Sequence, residues 1–526
     1  MININILIIT GIQSLQTAQR IANETENCVI DVLKAPISVS AFLTEDLTNQ
    51  LLLEENLNQY DIVLLPGFIQ WDTSNLEKKF SIPIRKGPRF LSDLHSILQK
   101  IEDLNLSNTI PACDLLKFSG EDQYEEIVKN RIEFARKSIS THTFTINEKF
   151  PDKIIGRDLP PLIIAEIINA PEKSLEQLDR KIEHYITSGA DMIDLGCVSN
   201  KPNPSRLKEI IEYIKSKYNI LLSADTLNSA EINAAIDADI DLILSLDYGN
   251  YENHLDAPKN LPFVILPTDT TKAIMPRMPE VRIERLFALT EILKKKGFQK
   301  LILDPLLETP IHPGFINSIS AYSLYNKKVK EDKYKELEFP LFFGISNVVE
   351  LMDIDSIGIN GLLACIAAEL DIGVIFTVEH SAKLFNGVIE LKKGIKLAYL
   401  SKYKKMPPIN QGIQIFSAKS KNKVELPQIN RNQAVLIKDS DDYYKPDSNG
   451  YFKIYTNPYT NEIYVLHISN GHNLLNTIVG KNAEDISKKI IKLNLTVDKF
   501  HINYLGRELK KAEICLKSGK YYIQDE

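Results

Sequence analysis

The sequence is poor in cysteine and tryptophan, and its cysteines lie far apart. Five cysteines and one tryptophan occur in 526 residues, without a Cys-x-x-Cys pair. A disulfide framework is therefore not indicated, and scattered thiols are typical of a reducing compartment. Apolar residues make up 44% and charged residues 25%, which is ordinary for a globular protein. We expect a cytoplasmic protein.

Long apolar runs and an excess of positive charge are also missing. No stretch of ~18 consecutive apolar residues occurs, so the sequence predicts no membrane span. The apolar start MININILIITGIQ lacks the basic region and the cleavage site of a signal peptide. The net charge of −7 argues against a nucleic-acid partner, for which a basic face is expected.

A chain of this length exceeds one ordinary hydrophobic core, so several domains are expected. Residues 1–118 alternate apolar strands with helical patterns, which predicts an α/β domain with a parallel, flavodoxin-like sheet. Residues 119–158 are charged and less regular, and they predict a helical connector that leads to a short extended segment. Residues 409–526 follow the break at Pro407 and Pro408 and predict a C-terminal α+β domain with four strands and two helices.

A basic turn in the N-terminal domain, Arg85, Lys86 and Arg89, precedes a predicted helix. Its position allows anion binding at the start of the helix. A solvated loop explains the same residues, and both interpretations are open.

Between residues 159 and 408 one unit recurs: an apolar strand, a loop and, in most cases, an amphipathic helix. Eight such units match a (β/α)8 TIM barrel, typically ~250 residues long, better than a doubly wound sheet, which usually has fewer strands. The predicted strands are PLIIAEIINA, DMIDLGCVSN, ILLSADTLN, DLILSLDYGN, PFVILPTDTT, KLILDPLLETP, PLFFGISNV and GVIFTVEHSA.

Polar residues gather where these strands end, at the barrel face that carries chemistry. Helix capping does not explain Asp225, Asp304 and Asn347, which lie inside or directly after apolar runs. The strand-end residues are, in strand order, Glu166 and Asn169; Asp194, Ser199 and Asn200; Asp225 and Thr226; Ser245 and Asp247; Asp269 and Thr270; Asp304; Ser346 and Asn347; Glu379 and His380.

A ring of acids and amides suits a planar heterocycle. A carboxylate accepts two N–H bonds from a 2-amino-4-oxo ring, and amides match the other edge of that ring. A pterin has this pattern. Composition alone does not choose a pterin over a sugar phosphate.

Residues 159–400 resemble the pterin-binding barrels of dihydropteroate synthase and of the methyltetrahydrofolate–corrinoid methyltransferases. IINAPEKS resembles the strand-one motif of the synthase and has Asn169 at the family's asparagine, while GADMIDLGCVSNKPNP, with Asp194, resembles its second motif. SADT and LILDPLL have Asp225 and Asp304 at two aspartates that hold the pterin in the family.

The resemblance extends beyond the barrel. FGISNVVELMDIDSIGINGLLACIAAELDIGVIFTVEHSAKLFNGVIEL and the tail HINYLGRELKKAEICLKSGKYYIQD resemble a group of dihydropteroate synthase-related proteins from methanogens and tetrahydromethanopterin-using bacteria. This likeness implies tetrahydromethanopterin metabolism, part of one-carbon metabolism, as the context.

Three strands depart from the synthase pattern. Strand four has Leu244 and Ser245 where the family carries a pterin-binding asparagine. Strand seven reads GISNVVEL, without the synthase lysine; it is closer to the methyltransferases, whose asparagine, here Asn347, contacts the pterin near N5. Strand eight lacks the synthase arginine and keeps only a histidine, His380, displaced by about one position. His380, beside Glu379, is a candidate acid–base catalytic residue, and a histidine hydrogen-bonded to its neighbour for structure is the open alternative. Pterin binding is therefore better supported than synthase chemistry.

The first of three functions is a synthase-like transferase, in which an arylamine displaces pyrophosphate from a pterin-methyl pyrophosphate. The resemblance then implies Asp225 and Asp304 as catalytic, pterin-holding residues and Asn169 as a ligand of Mg²⁺ and pyrophosphate. Cationic help for the departing pyrophosphate is expected from Lys272 and Arg277 in the loop after strand five.

The second function is a methyltransferase that takes a methyl group from a reduced pterin, with Asn347 near N5 and a corrinoid protein as the acceptor. The chain lacks an Asp-x-His-x-x-Gly cobalamin motif, so the corrinoid is expected either on a partner protein or bound in a different way. The third is a non-catalytic pterin-binding protein. The resemblance also implies a possible homodimer. In all three cases the expected pterin-binding residues are Asn169, Asp194, Asp225, Ser245, Asp304 and Asn347.

Overall fold

The computed structural model describes residues 4–25, 28–99, 101–102, 104–115, 120–409, 411–415 and 447–524. Contacts divide the chain into two compact units. One comprises Met1–Glu126 and Leu400–Ile413, and the other Ile127–Tyr399 and Gln414–Glu526. The domain boundaries expected at residues 118, 158 and 408 stay predictions.

The first unit contains a four-stranded parallel sheet in the order β2-β1-β3-β4. Ile6 and Ile8 of β1 pack into one hydrophobic cluster, while Leu7 and Ile9 pack into another. Successive side chains of a strand point to opposite faces, so β1 is buried on both, as in a parallel sheet covered by helices. The predicted α/β class is confirmed. The strands are β1 (Ile4–Thr10), β2 (Cys28–Lys34), β3 (Ile62–Leu65) and β4 (Ile84–Lys86).

The helices of this part of the chain are short, apart from the last. They are α1 (Leu15–Asn23), α2 (Glu45–Leu53), α3 (Ser74–Phe80), α4 (Leu94–Gln99), α5 (Ala112–Leu115) and α6 (Gly120–Arg136). The long helix α6 lies in the segment where a helical connector was predicted.

The strand β4 differs from the expected basic loop. It contains Arg85, which pairs with Glu77, and Lys86, whose ammonium donates to the carbonyl of Ile69 at 2.9 Å. Arg85 and Lys86 are therefore both bound within the unit. Anion binding at this turn, which also includes Arg89, stays a prediction. With three residues, two of them basic, β4 lacks the apolar run that marks a strand in the sequence.

The second unit is built on a closed barrel of eight parallel strands, β7 to β14, which confirms the predicted TIM barrel. Each predicted apolar run supplies one strand. The strands are β7 (Leu162–Ile167), β8 (Met192–Gly196), β9 (Leu221–Asp225), β10 (Leu242–Leu246), β11 (Phe263–Ile265), β12 (Leu301–Leu303), β13 (Leu341–Gly344) and β14 (Ile372–Val378).

Helices follow most of these strands. Between β10 and β11 the described chain has only a 3-10 turn, Tyr251–His254. The helices are α7 (Leu175–Ser188), α8 (Pro204–Lys217), α9 (Ser229–Asp237), α10 (Pro279–Lys295), α11 (Phe315–Lys328), α12 (Ser346–Val349), α13 (Ser356–Glu369) and α14 (Gly387–Lys404).

A short hairpin closes the N-terminal end of the barrel. Its strands are β5 (Phe144–Thr145) and β6 (Ile154–Ile155), which pair antiparallel. Phe144 and Ile155 belong to the same buried cluster as inward-facing strand residues such as Leu221 and Leu242. Water is therefore excluded from this end, and the opposite end, where the strands terminate, carries the polar side chains.

The C-terminal part of the second unit is an antiparallel three-stranded sheet with two helices. Two predicted strands and both predicted helices are observed. The strand Leu474–Gly480 was not predicted, because most of its side chains are exposed and no apolar run marks it. The predicted strands at 412–421 and 433–439 lie wholly or mostly outside the described residues. The elements are β15 (Tyr451–Asn457), β16 (Glu462–Ile468), β17 (Leu474–Gly480), α15 (Ala483–Lys492) and α16 (Lys499–Lys517).

Among the residues that the structure describes, no helix has both the length and the apolar character needed to cross a membrane.

Candidate functional site

Strand alternation points four acids into the C-terminal end of the barrel. Apolar residues of the strands, such as Leu162 and Ile164 of β7 or Ile302 of β12, face the barrel interior. Side chains at every second position share a face, so the next inward positions are polar. They are Glu166 on β7, Asp194 on β8, Asp225 on β9 and Asp304 directly after β12.

Strand register brings three of these acids together. Glu166 pairs with Asp194 across β7 and β8, and Gly196 pairs with Asp225 across β8 and β9. One carboxylate oxygen from each of the three acids lies within 4.8 Å of the others. Gly196 makes room for this arrangement, because a Cβ at that position would overlap the Glu166 carboxylate.

The three carboxyl groups have few partners. The Ser223 hydroxyl donates to Asp194 Oδ1 at 2.6 Å, whereas Asp194 Oδ2 is buried without a hydrogen bond. Within the described ranges the side chains of Glu166 and Asp225 accept no hydrogen bond, and no lysine or arginine forms an ion pair with any of the three. An unpaired buried carboxylate is costly, so this cluster favours a proton, a cation or a ligand with N–H donors.

Burial raises the pKa of each acid. Burial, followed by the charges of Asp225 and Glu350, raises the pKa of Glu166 to about 7. Burial and the same kind of repulsion raise the pKa of Asp194 well above its usual range, and burial raises the pKa of Asp225 to about 6. Each of these carboxyl groups therefore keeps its proton to a higher pH than an exposed carboxyl group would.

Asp304 is held in place by its loop and by the outer helix α11. Its Oδ1 accepts hydrogen bonds from the backbone N–H of Leu306 at 2.8 Å and from the Tyr322 hydroxyl at 3.1 Å. Burial raises the pKa of Asp304 to about 6, and the charge of Asp225 acts in the same direction. The charge of Asp225 therefore acts on Asp304.

A fully buried arginine fixes the loop after Asp304. Arg282 is 0% exposed; its guanidinium donates to the carbonyls of Pro305 at 3.1 Å and Leu306 at 2.7 Å, and it pairs with Glu308. These bonds fix the backbone whose N–H holds the Asp304 carboxylate. The role of Arg282 is therefore one of positioning.

The other predicted site residues lie at the same end of the barrel, at different depths. Asn169 follows β7 with a left-handed backbone (φ 52°) and is exposed. Ser245 is buried in β10, where its carbonyl accepts from Asn250 Nδ2 at 3.1 Å. Asn347, in α12, is exposed and donates to the carbonyl of Leu307 at 3.1 Å, which links it to the Asp304 loop. Their contacts with a pterin stay predictions.

His380 is exposed directly after β14. The neighbouring Glu379 is buried and contacts another histidine, His184 of α7, at 2.7 Å. Glu379 also accepts from the backbone N–H of Val388 at 3.0 Å, so it is bound on both carboxylate oxygens. The catalytic role of His380 stays a prediction, without the Glu379 contact that their adjacency in sequence suggested.

Two other strand-end acids are satisfied locally. Asp247 is fully buried and accepts from the N–H of Gly249 at 2.7 Å and from the Thr268 hydroxyl at 2.9 Å. Asp269 caps a 3-10 turn and pairs with Lys272 at 3.1 Å. Both acids shape loops, and Lys272, expected to help with pyrophosphate, is 72% exposed with its charge already paired.

Glu166 belongs to the cluster of three acids, but the expected set of pterin-binding residues did not include it. The sequence had placed it only among the polar residues at the strand ends. The alternation of Leu162, Ile164 and Glu166 along β7 was the signal that would have identified it, because it assigns Glu166 to the inner face.

Glu166, Asp194 and Asp225 are also the residues best suited to hold a metal. Carboxylate oxygens are the ligands that Mg²⁺ and Mn²⁺ prefer. The orphaned Asp194 Oδ2 supplies a buried acceptor that a cation would satisfy. The donor set therefore fits a hard divalent cation.

Comparison with known proteins shows which family the chain resembles. Residues 169–395 match the model described as Pterin binding enzyme, and residues 446–525 match PterinBD-DUF4346. An uncharacterized protein of Methanocaldococcus jannaschii is 34% identical over 533 residues, which is 99% of this chain and 98% of that protein. The chain belongs to the pterin-binding, dihydropteroate synthase-related family.

Synthases of this family are more distant from the chain. Dihydropteroate synthase of Streptococcus pyogenes is 26% identical over 189 residues, which is 33% of this chain and 66% of that enzyme. A solved Yersinia pestis dihydropteroate synthase in complex with a pterin–sulfa conjugate is 21% identical, with a TM-score of 0.36, and covers 46% of this chain and 95% of its own. The segment matched to the pterin-binding family begins at Asn169, after Glu166, and includes Asp194, Asp225 and Asp304.

Proposed function

We propose that the barrel binds a reduced pterin through the carboxylates of Asp225 and Asp304, as an enzyme of tetrahydromethanopterin or a similar folate-like metabolism. The observation that supports this most directly is the free carboxylate of Asp225. It is partly buried at the barrel mouth and accepts no hydrogen bond from the described residues. The 2-amino-4-oxo edge of a pterin presents adjacent N–H donors, and a carboxylate accepts two of them in the bidentate manner of an arginine pair.

Asp304 suits a second pterin contact because its position is fixed before the ligand arrives. Two hydrogen bonds hold its Oδ1. Preorganised acceptors bind a ligand more tightly, since little freedom is lost on binding. Its pKa of about 6 leaves it mostly ionised near neutral pH and ready to accept an N–H.

The reaction we place first is a synthase-like condensation. The amine nitrogen of an arylamine forms a bond to the pterin methylene carbon, the bond from that carbon to the pyrophosphate oxygen breaks, and the amine loses one proton. Similarity to the synthases supports this reaction. The exposed His380 at the rim of the mouth is our candidate acceptor of that proton.

Mg²⁺ in such a site would neutralise phosphate charge. The chain offers Asn169 at the loop after β7 and the acid cluster below it as oxygen donors. The remaining work falls to residues of the chain: Asp225 and Asp304 orient the ring, and the apolar interior beneath them keeps water from the lower face of the site.

Methyl transfer from a reduced pterin is the second candidate, and protonated acids favour it. The pKa of Glu166 is about 7, so this carboxyl is partly protonated at neutral pH. Protonation of the pterin N5 turns it into a better leaving group when its methyl group is transferred, so a nearby proton donor assists the reaction. Asn347, at the mouth, would then contact the pterin near N5, and a corrinoid protein would accept the methyl group.

One set of assays separates these functions. Purified protein is incubated with Mg²⁺, a pterin-methyl pyrophosphate and a ribofuranosyl-aminobenzene phosphate, and the joined product is measured by mass spectrometry. Product that is lost in Asn169→Ala and Asp225→Ala, but kept in Asp332→Asn, supports the synthase. Asp332 is an exposed acid in the loop that leads into β13, at the closed end of the barrel.

Transfer of a methyl group from methyl-tetrahydromethanopterin to a cob(I)alamin carrier, dependent on Asn347, would instead support the second candidate. Pterin binding with neither activity would identify a non-catalytic binding protein. Absence of pterin binding would refute the proposal as a whole.

A further inference from the structure

The N-terminal sheet has a topological switch point at the end of β1. In the order β2-β1-β3-β4, the chain leaves β1 toward β2 on one side and leaves β3 toward β4 on the other. Loops that diverge in this way leave a crevice beyond the carboxyl ends of the two central strands, and open α/β sheets bind ligands there.

The structure has a crevice at this place. It is lined by residues 8–10 of β1, 64–66 at the end of β3, 87–91 after β4, and 404–407, all of which belong to the first unit. Its volume is about 540 Å³, within the range of ~300–1,000 Å³ that is usual for small-molecule sites. We propose that this crevice binds a phosphorylated heterocycle of mononucleotide size.

One end of the crevice is polar. The hydroxyls of Thr10, Ser14 and Ser40 form a chain, with 3.0 Å between the Thr10 and Ser40 oxygens and 3.1 Å between those of Ser40 and Ser14. The backbone N–H of Gly11 donates to the Ser40 hydroxyl at 2.9 Å. Hydroxyl hydrogens rotate to suit a partner, so this group can donate to phosphate oxygens.

Gly11 permits this cluster. A Cβ at that position would lie 2.9 Å from the backbone nitrogen of Ser40 and 3.0 Å from the carbonyl of Ile37. Both atoms are backbone and cannot move aside easily. The close approach of the two loops, and with it the hydroxyl cluster, therefore requires glycine.

The charge of the lining is positive. It includes Arg20, Arg89, Lys404 and Lys405, without an acid. Arg89 pairs with Asp114 and Lys404 pairs with Asp93, and both acids lie outside the lining. Arg20 is exposed and forms no ion pair with another described residue. A phosphate group is the ligand chemistry that unpaired guanidinium and grouped hydroxyls recognise.

The other side of the crevice is apolar and includes a ring. Ile8, Leu64 and Leu94 are buried there, and Phe90 packs edge-to-face on Phe68 with 5.1 Å between ring centroids. A planar heterocycle next to this surface would bury apolar area and could pack on the Phe90 ring. The lining thus combines an anion site with an apolar wall. A mononucleotide needs both, whereas free phosphate needs only the anion site.

This inference is independent of the pterin proposal, because every lining residue belongs to the first unit. The test uses the full chain. Isothermal titration with adenosine monophosphate, riboflavin phosphate and inorganic phosphate measures affinity for the unmodified protein and for Arg20→Gln, Ser40→Ala and Arg180→Gln. Arg180 is an exposed arginine of α7 in the barrel and serves as the matched control.

We expect saturable binding of at least one organic phosphate, competed by inorganic phosphate. Loss of one charged hydrogen bond corresponds to a rise in Kd of about tenfold or more in Arg20→Gln, and Arg180→Gln should leave Kd unchanged. A saturating reduced pterin should not alter this Kd. Ser40→Ala, which removes the central hydroxyl, should weaken binding of the same ligand.

Three results would overturn the inference. The first is that none of the three compounds binds saturably below ~10 mM, a weak limit even for a fragment-sized ligand. The second is equal binding by the unmodified protein, Arg20→Gln and Ser40→Ala, with melting curves showing that the variants are folded. The third is loss of binding in Asp225→Asn, which would assign the ligand to the barrel.

Discussion

Asp225→Asn tests the pterin site most directly, because asparagine has the same size as aspartate and removes only the charge. The side-chain carboxylate of Asp225 has no hydrogen-bonding partner among the described residues, so the substitution breaks no visible contact in the ligand-free protein. It also relieves repulsion, since Glu166 and Asp194 place carboxylate oxygens within 4.8 Å of it. We therefore expect the variant to fold and to be as stable as the unmodified protein, or more stable, near neutral pH.

The substitution Asp225→Asn should weaken the binding of the ligand. A hydrogen bond to a charged group contributes ~1.5–3 kcal/mol, so its replacement by a neutral one should raise the Kd for a reduced pterin by ~10- to 150-fold. Asp304→Asn should cost less, because two protein hydrogen bonds already engage its Oδ1 and can remain with asparagine. Quenching of pterin fluorescence measures both, with Asp332→Asn as the control.

The pH dependence adds a second readout of the same substitution. Burial raises the pKa of Asp225 to about 6, so the carboxylate needed to accept pterin N–H groups is lost as the pH falls through that value. Affinity of the unmodified protein should therefore fall on acidification, and this dependence should be weaker in Asp225→Asn. A loss of less than ~2-fold in Asp225→Asn, or the same loss in Asp332→Asn, would refute the assignment.

Three further predictions concern the acids and their support. The carboxyl group of Glu166 binds a proton more tightly in the folded protein than in the unfolded chain, so it stabilises the fold at low pH, and this stabilisation is lost as the pH rises through about 7. Thermal melts at several pH values should show this loss of stability, and the loss should be smaller in Glu166→Gln. Arg282→Met leaves Glu308 and buried carbonyls unpaired, so urea unfolding should show a loss of ~3–5 kcal/mol in the free energy of unfolding. An unchanged unfolding midpoint would contradict the positioning role of Arg282. Gly196→Ala displaces only the flexible carboxylate end of Glu166, so the melting temperature should change little while pterin affinity changes; a large loss of stability would mean that the backbone had moved.

The barrel could be predicted from the sequence because each of its strands is a continuous apolar run. Strands buried on both sides have this character, and the loops between them carry Gly, Pro, Asn and Asp. At the hairpin β5–β6 only a short extended segment could be predicted, and not the pairing of two strands, because strands of two residues leave no periodic signal. Its role as the barrel's closed end follows from tertiary packing of Phe144 and Ile155.

The acids at the mouth divide into two kinds that the sequence does not separate. Asp247 and Asp225 both end apolar strands and look alike as residues. The structure surrounds Asp247 with N–H and hydroxyl donors from its own and the next loop, and leaves Asp225 without any from the described residues. Such donors come from backbone conformation, so only the fold distinguishes an acid that shapes a loop from one free to bind a ligand.

The charge of the mouth leads to a final prediction, which separates phosphate-bearing pterins from others. Two unit charges ~6 Å apart interact by ~3 kcal/mol at an effective dielectric constant of ~20. A pterin-methyl pyrophosphate would meet Glu166, Asp194 and Asp225, and among the described residues none of these has a paired lysine or arginine. Without a divalent cation, its phosphate groups should therefore weaken binding.

In EDTA a hydroxymethyl pterin should bind more tightly than its pyrophosphate derivative, because it carries no phosphate charge. Addition of Mg²⁺ should reverse this order if the site serves a synthase, and Asp194→Asn should reduce the effect of Mg²⁺ by removing the buried oxygen that lacks a partner. Calorimetric titrations with both ligands, with and without Mg²⁺, measure the difference without any turnover. Equal affinity of the pyrophosphate derivative in EDTA and in Mg²⁺ would contradict the metal-assisted reaction. It would favour a substrate without phosphate, as methyl transfer requires.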